Sequence, residues 1–162
     1  MTADSATPIQ TLPEVSFLSL EGTTDVEVLG SIADAAIAAG FVLPSFKDAL
    51  LTREAAFPTA LPTETPVAIP HADAEHVLRA GIGIAKLSQP VSFGLMGSES
   101  DRIDVEYVAV LLVAEAHSQV DLLVRLVSVF QTPNWSDSIA AAESPVAMAA
   151  AMNELLATTT PE

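Results

Sequence analysis

The sequence predicts an α/β fold: a single-domain sandwich with a mixed parallel/antiparallel β-sheet flanked by helices on both faces. Two patterns carry that prediction. Extended segments alternate with segments of helical apolar period, and then extended segments cluster in the middle of the chain. The run from Val108 to Ala114 is continuously apolar after an alternating start at Val105 and Tyr107, as in a strand entering the middle of a sheet covered on both faces. Composition agrees, since half of the 162 residues are hydrophobic, enough for one sizeable core.

Residues 1–13 are polar and proline-bearing and read as a flexible N-terminal tail, with one folded domain over 14–158. Val15 to Leu20 reads as the first strand. Thr24 and Glu27 have the spacing of a capping box. Val28, Leu29, Ile32, Ala33, Ala36 and Ile37 follow at helical intervals, and Gly40 stands where a C-terminal cap belongs. A second helix is expected from Ser45, after Pro44, to Ala56, ended by Phe57-Pro58. Thr59 to Pro66 reads as a loop leading into a buried strand, Val67-Ala68-Ile69. Two further strands are expected, Val77 to Leu87 with a bend at its glycines, and Val91 to Phe93. Gly94 to Asp101 reads as a loop before the strand from Val105. A helix is expected from Ser118 to Phe130, with Ser118 and Asp121 as an imperfect capping pair, and a short helix over Trp135 to Ala142. Ser144 and Pro145 open the last helix as cap and first-turn residue. No internal repeat and no second domain is apparent.

Charge and cysteine content narrow the function. Six basic residues stand against 21 acidic ones, a formal charge of −15. Nucleic acid and anionic bilayers both require a basic surface, so direct binding to either is disfavoured. The acidity either steers a basic protein partner or simply keeps an apolar-rich chain soluble. Cysteine is absent, which excludes disulfides, thiolate metal sites and cysteine nucleophiles. Met1 to Ser5 lacks the basic start and apolar run of a signal peptide, and the apolar run from Val108 is too short to span a bilayer. A cytoplasmic protein without membrane insertion is expected.

The candidate chemistry centres on Ile69-Pro70-His71. Proline restricts the residue before it to extended geometry and fixes its own φ, so the imidazole of His71 leaves the strand end in a narrow range of directions. His117 follows the other buried strand and is placed just before a helix. If the two strands are parallel neighbours, both imidazoles emerge at the carboxyl edge of the sheet, the usual ligand position in α/β folds. The following helix would add unpaired amides and a positive dipole end that favour a phosphate. Arg53 lies near the end of the second helix. It is either part of this site or a solvated cation facing the helix carbonyls. His76 reads as a surface residue. His71 and His117 do not form a compact ligand motif such as two histidines four apart on one helix, so no metal or other cofactor is expected.

The segments Leu51-Thr52-Arg53-Glu54, Pro58 to Thr63, Val67 to His71 and Pro90 to Phe93, then His117 and the helix through Leu122 and Leu126, occur in that order. Together they resemble the IIA component of the bacterial phosphoenolpyruvate-dependent sugar phosphotransferase system (PTS), in its fructose/mannitol (type 2) superfamily. The run Ile69 to Val77 is most similar to the galactitol-type branch. The likeness extends over residues 15–157. Ala60 stands where many members have glycine, and Ala72 where threonine or glycine is frequent. The resemblance implies a phosphocarrier. His71 would accept a phosphoryl group from phospho-HPr and pass it to a IIB component coupled to a IIC permease. His117 would stabilise the phosphoryl group and Arg53 its charge. Asp73 could orient His71 or cap the turn. Imidazole suits such a relay: neutral near pH 7, it is a nucleophile, and its pKa of about 6.5 also makes it a good leaving group. Related IIA domains act instead as phosphorylation-dependent regulatory modules, which is the alternative reading.

Overall fold

Sequence and topology agree first at β1, Thr11–Leu20, the edge strand of a five-stranded sheet in a computed structural model that describes residues 9–159, and for 116–119 the backbone alone. The strand begins earlier than Val15. The Thr11 amide donates to Asn153 Oδ1 at 2.7 Å, so a side chain of the last helix anchors the strand's start.

Helix α1 (Asp25–Ala38) has the predicted cap: Thr24 accepts from the Glu27 amide, and Gly40 takes φ +82° behind its C-terminus. Helix α2 spans Phe46–Ala56. The segment expected to be only a loop holds a short strand, β2 (Ala60–Leu61), antiparallel to β3 (Val67–Ala68). A single 3₁₀ turn, Ala74–His76, follows.

The two strands expected over Val77–Phe93 are one, β4 (Gly81–Gly94), with a register shift between Lys86 and Val91. Pro90 lies in that irregularity, where its missing amide costs no ladder bond. The glycines at its start do not bend the strand. They admit β1: a Cβ on Gly83 would lie 2.7 Å from the Val15 carbonyl oxygen. Strand β5 (Arg102–Leu112) is antiparallel to β4 and parallel to β3. Helices α3 (Ala116–Phe130), α4 (Ser136–Ala141) and α5 (Pro145–Thr158) complete the chain, α5 capped by Ser144 accepting from the Ala147 amide.

The sheet order β1-β4-β5-β3-β2 is mixed, and both faces are covered. Val108, Val110 and Leu112 face the layer of α1 and α2 with Leu29, Ile32, Phe46 and Leu50. The alternate residues Tyr107, Ala109 and Leu111 face α3, α4 and α5 with Leu126, Phe130, Trp135 and Met152. Burying both faces explains the unbroken apolar run, because every residue from Tyr107 to Val113 is at most 2% exposed. Among the described residues no helix is long and apolar enough to cross a membrane.

Candidate functional site at the end of two parallel strands

The site is built where β3 and β5 end side by side. Their parallel pairing matches Val67 with Tyr107 and Ala68 with Val108. Past the end of β3 the Leu111 amide donates to the Pro70 carbonyl at 3.1 Å, and His71 bridges to Leu111. Proline gives up a donor here but keeps its acceptor. His71 is thereby held against the last turn of sheet before β5 passes into α3.

The ring of His71 is buried, with the residue 8% exposed. Its Nδ1 lies 3.1 Å from the Ile69 carbonyl oxygen. A carbonyl oxygen only accepts, so Nδ1 carries the hydrogen and the neutral ring keeps its lone pair on Nε2. Burial pushes the imidazole pKa below 6.5. The Ile69 hydrogen bond opposes that shift, the Arg53 cation adds to it, and Asp73 again opposes it. Orientation therefore comes from a backbone carbonyl, and Asp73, considered for that role, engages Arg53 instead: Nη1 donates to Asp73 Oδ1 at 3.3 Å.

Arg53 is neither buried nor free in solvent. Its side chain is 36% exposed, its guanidinium carbon lies 5.6 Å from the centre of the Phe57 ring, and its Nε is buried with no hydrogen-bond partner among the described residues. The pair with Asp73 is exposed and contributes little to stability. Its effect is to hold a cation beside the histidine loop. Arg53, Phe57, Asp73 and His76 share a groove of about 470 Å³ between α2 and that loop. His76, expected as a simple surface residue, has its Nδ1 2.8 Å from Ser45 Oγ, tying the loop to the start of α2.

His117 was expected just before a helix. The helix starts earlier, at Ala116, so His117 lies in its first turn, behind Glu115 in the cap position. Ser118, expected as the cap, is inside the helix. The side chains of His117 and Ser118 lie outside the described residues. The backbone places the first turn of α3 a few residues beyond the end of β5, at the sheet edge where His71 emerges.

Glu54 and Thr59 stand within the motifs of the sequence without an expected role. Both are buried, at 5% and 4% exposure. Glu54 Oε2 accepts from the Thr59 amide at 3.0 Å and Oε1 from its hydroxyl at 2.9 Å. Thr59 Oγ1 in turn accepts from the Ile69 amide at 3.0 Å. Burial raises the Glu54 carboxyl to about 7, against the effect of the two Thr59 bonds. A signal for Glu54 was present: Phe46, Leu50 and Glu54 recur every four residues, which puts a carboxylate on the buried stripe of α2.

A sheet held between two helical layers presents a buried imidazole at the carboxyl edge of parallel strands, the framework of a three-layered α/β protein. Residues 11–154 match the family described as phosphoenolpyruvate-dependent sugar phosphotransferase system, EIIA 2, and the chain belongs to that family. Within it, the chain is 33% identical over 114 residues to the galactitol-specific EIIA component of the PTS system from Escherichia coli (strain K12), covering 70% of this chain and 75% of that one. Among solved structures, it superposes on enzyme IIA(Mtl) in the complex with phosphorylated enzyme IIB(Mtl) from Escherichia coli, at TM-score 0.69 and 25% identity over 93% of this chain and 99% of that one. It shares its fold with a PTS IIA protein, PtxA, from Streptococcus mutans, at TM-score 0.73 and 18% identity over 90% and 91% of the two chains.

Proposed function

We propose that this chain is the cytoplasmic phosphocarrier of a sugar-transporting PTS, accepting a phosphoryl group from phospho-HPr on His71 and passing it to a IIB component coupled to a IIC permease. The observation that carries the reading is the Nδ1–H of His71 held on the Ile69 carbonyl, which leaves Nε2 as the nucleophile. The galactitol-specific relative and the mannitol IIA solved with its phosphorylated IIB support the sugar-transport assignment and a IIB acceptor.

The chemistry follows from that tautomer. The Nε2 lone pair attacks the donor's phosphorus in line, and an N–P bond forms as the donor's own N–P bond breaks. Nδ1 keeps its proton on the Ile69 carbonyl throughout. In the second transfer the Nε2–P bond breaks and its electron pair returns to Nε2. Imidazole on both sides of the first step makes it nearly balanced. Phosphoryl transfer demands placement and charge neutralisation more than covalent help. Arg53 supplies the cation at the mouth of the site. His117, with the amides of the first turn of α3, stabilises the phosphoryl oxygens.

Incubation with phosphoenolpyruvate and the general carrier proteins should place acid-labile phosphate on the chain, and His71→Ala should abolish it. Normal labelling of that variant would sink the assignment. His117→Ala should still bind the donor but transfer about 10²-fold more slowly, the cost of one lost electrostatic donor. A labelled protein that never discharges to a IIB protein, but whose phosphorylation changes its capture of a kinase or regulator, would favour the regulatory reading.

A further inference from the structure

The Glu54 carboxylate is the unexplained group of this site. A buried carboxylate is costly unless paired or fully hydrogen-bonded. Here the cation whose charge reaches the carboxyl, Arg102, is itself paired with Asp25, and no ion pair to Glu54 occurs among the described residues. Both oxygens are instead spent on one residue, Thr59, through its amide and its hydroxyl.

That geometry has a direction. The Thr59 hydroxyl hydrogen points to Glu54 Oε1, so its lone pairs face the other way, and the Ile69 amide donates to them at 3.0 Å. Thr59 is the residue just before β2, and Ile69 the residue just after β3, so the hydroxyl replaces the ladder bond that the two strands no longer make there. The amide and carbonyl of Ile69 are thus both assigned: the amide to Thr59, the carbonyl to His71 Nδ1. Ile69 is fully buried, and the next residue is a proline with fixed φ.

We propose that Glu54 is a positioning residue for His71, acting through the Thr59 hydroxyl and the Ile69 peptide to hold the ring as the Nδ1–H tautomer with Nε2 free. The inference rests on the reading of His71 as the phosphoryl acceptor. Only a carboxylate meets the requirement at this position. Glutamine has one acceptor and one donor group, so it must either oppose the Thr59 amide with a second donor or reverse the Thr59 hydroxyl. Reversal orphans a buried hydroxyl hydrogen and weakens the hold on Ile69. The raised pKa of Glu54 is what burial produces against the two Thr59 hydrogen bonds and the charge of Arg102, and the two acceptors that Thr59 uses belong to the ionised form.

The test uses the unphosphorylated full chain first. Long-range proton–nitrogen NMR of the His71 ring should show the Nδ1–H form in the native protein. Thr59→Val, which keeps the shape and removes the hydroxyl, should lower the Nδ1–H fraction, as should Glu54→Gln, while Thr59→Ser should restore it. Phosphorylation of His71 by the donor should slow by about tenfold or more in Thr59→Val and Glu54→Gln, the scale expected for a misplaced reacting group, and recover in Thr59→Ser. If Glu54→Gln does not fold, the two Thr59 variants carry the comparison. Unchanged ring tautomers in folded Thr59→Val overturn the proposal and leave the network as support for β2 alone. Altered tautomers in a protein whose native form takes no phosphate overturn the phosphocarrier reading and leave the positioning role standing.

Discussion

His71 and Glu54 are two buried titratable groups about the same strand end, and their environments move them to opposite effect. Burial favours the uncharged form of each, so the imidazole pKa falls below 6.5 and the carboxyl rises to about 7. A titration of His71 by NMR should therefore give a midpoint below 6.5. Arg53→Met should raise that midpoint, because the cation depresses it, and Asp73→Asn should lower it further. Equal midpoints in all three proteins would remove Arg53 from the site's electrostatics. Glu54 makes a separate prediction for stability. Its folded pKa is raised, so its contribution is fully present below the unfolded value of about 4.5 and is lost as pH rises through about 7. The difference across that window is about 3 kcal/mol at most. His71, with a lowered pKa, contributes in the opposite sense, so comparison with Glu54→Gln isolates the carboxyl. Denaturant unfolding of the native protein should lose more stability than the variant between pH 4.5 and pH 7.

At the scale of elements, the ends of helices and strands decide where the chemistry falls. The caps at Thr24 and Ser144 were visible as sequence patterns because they are local: a hydroxyl, three residues, an amide. The start of α3 was not, since its cap position holds a glutamate, Glu115, which is not one of the residue types that mark a cap. That is why His117 was placed before the helix rather than in its first turn. Strand β2 escaped notice for a related reason: two residues carry no period, and the pairing partner, β3, lies across a turn. The β1–β4 pair is the element contact with the least slack. Gly83→Ala should destabilise the fold by about 1–3 kcal/mol, since its Cβ can be admitted only by moving backbone. Chemical denaturation measures it, and a neutral result would mean that β1 shifts freely. The same glycines read as a bend from sequence, because a missing side chain signals either a turn or a close approach, and only the neighbouring strand distinguishes them.

For the whole molecule, net charge and topology act over the longest range. A formal charge of −15 should speed encounter with a basic donor protein. Phosphorylation by the donor should slow as ionic strength rises, mainly through the association rate, and stopped-flow mixing over a salt series measures it. A rate indifferent to salt would confine the acidity to solubility. Topology does the rest: parallel pairing of β3 with β5 brings residue 71 and the first turn of α3, which begins at residue 116, to one edge of one sheet.

By itself, the sequence determined the α/β class, four of the five helices nearly to their ends, the buried central strand, and the delivery of His71 by a proline. Each of these is written within a few residues, as a period, a cap or a restricted dihedral. The tertiary structure decided the direction of strand pairing, the merging of two expected strands into β4, the tautomer of His71 and the network from Glu54 to Ile69. These depend on which backbone groups meet across gaps in the chain. Pattern in a single segment holds no information about its partner, and the proton on a histidine is assigned by whatever oxygen packing sets beside it.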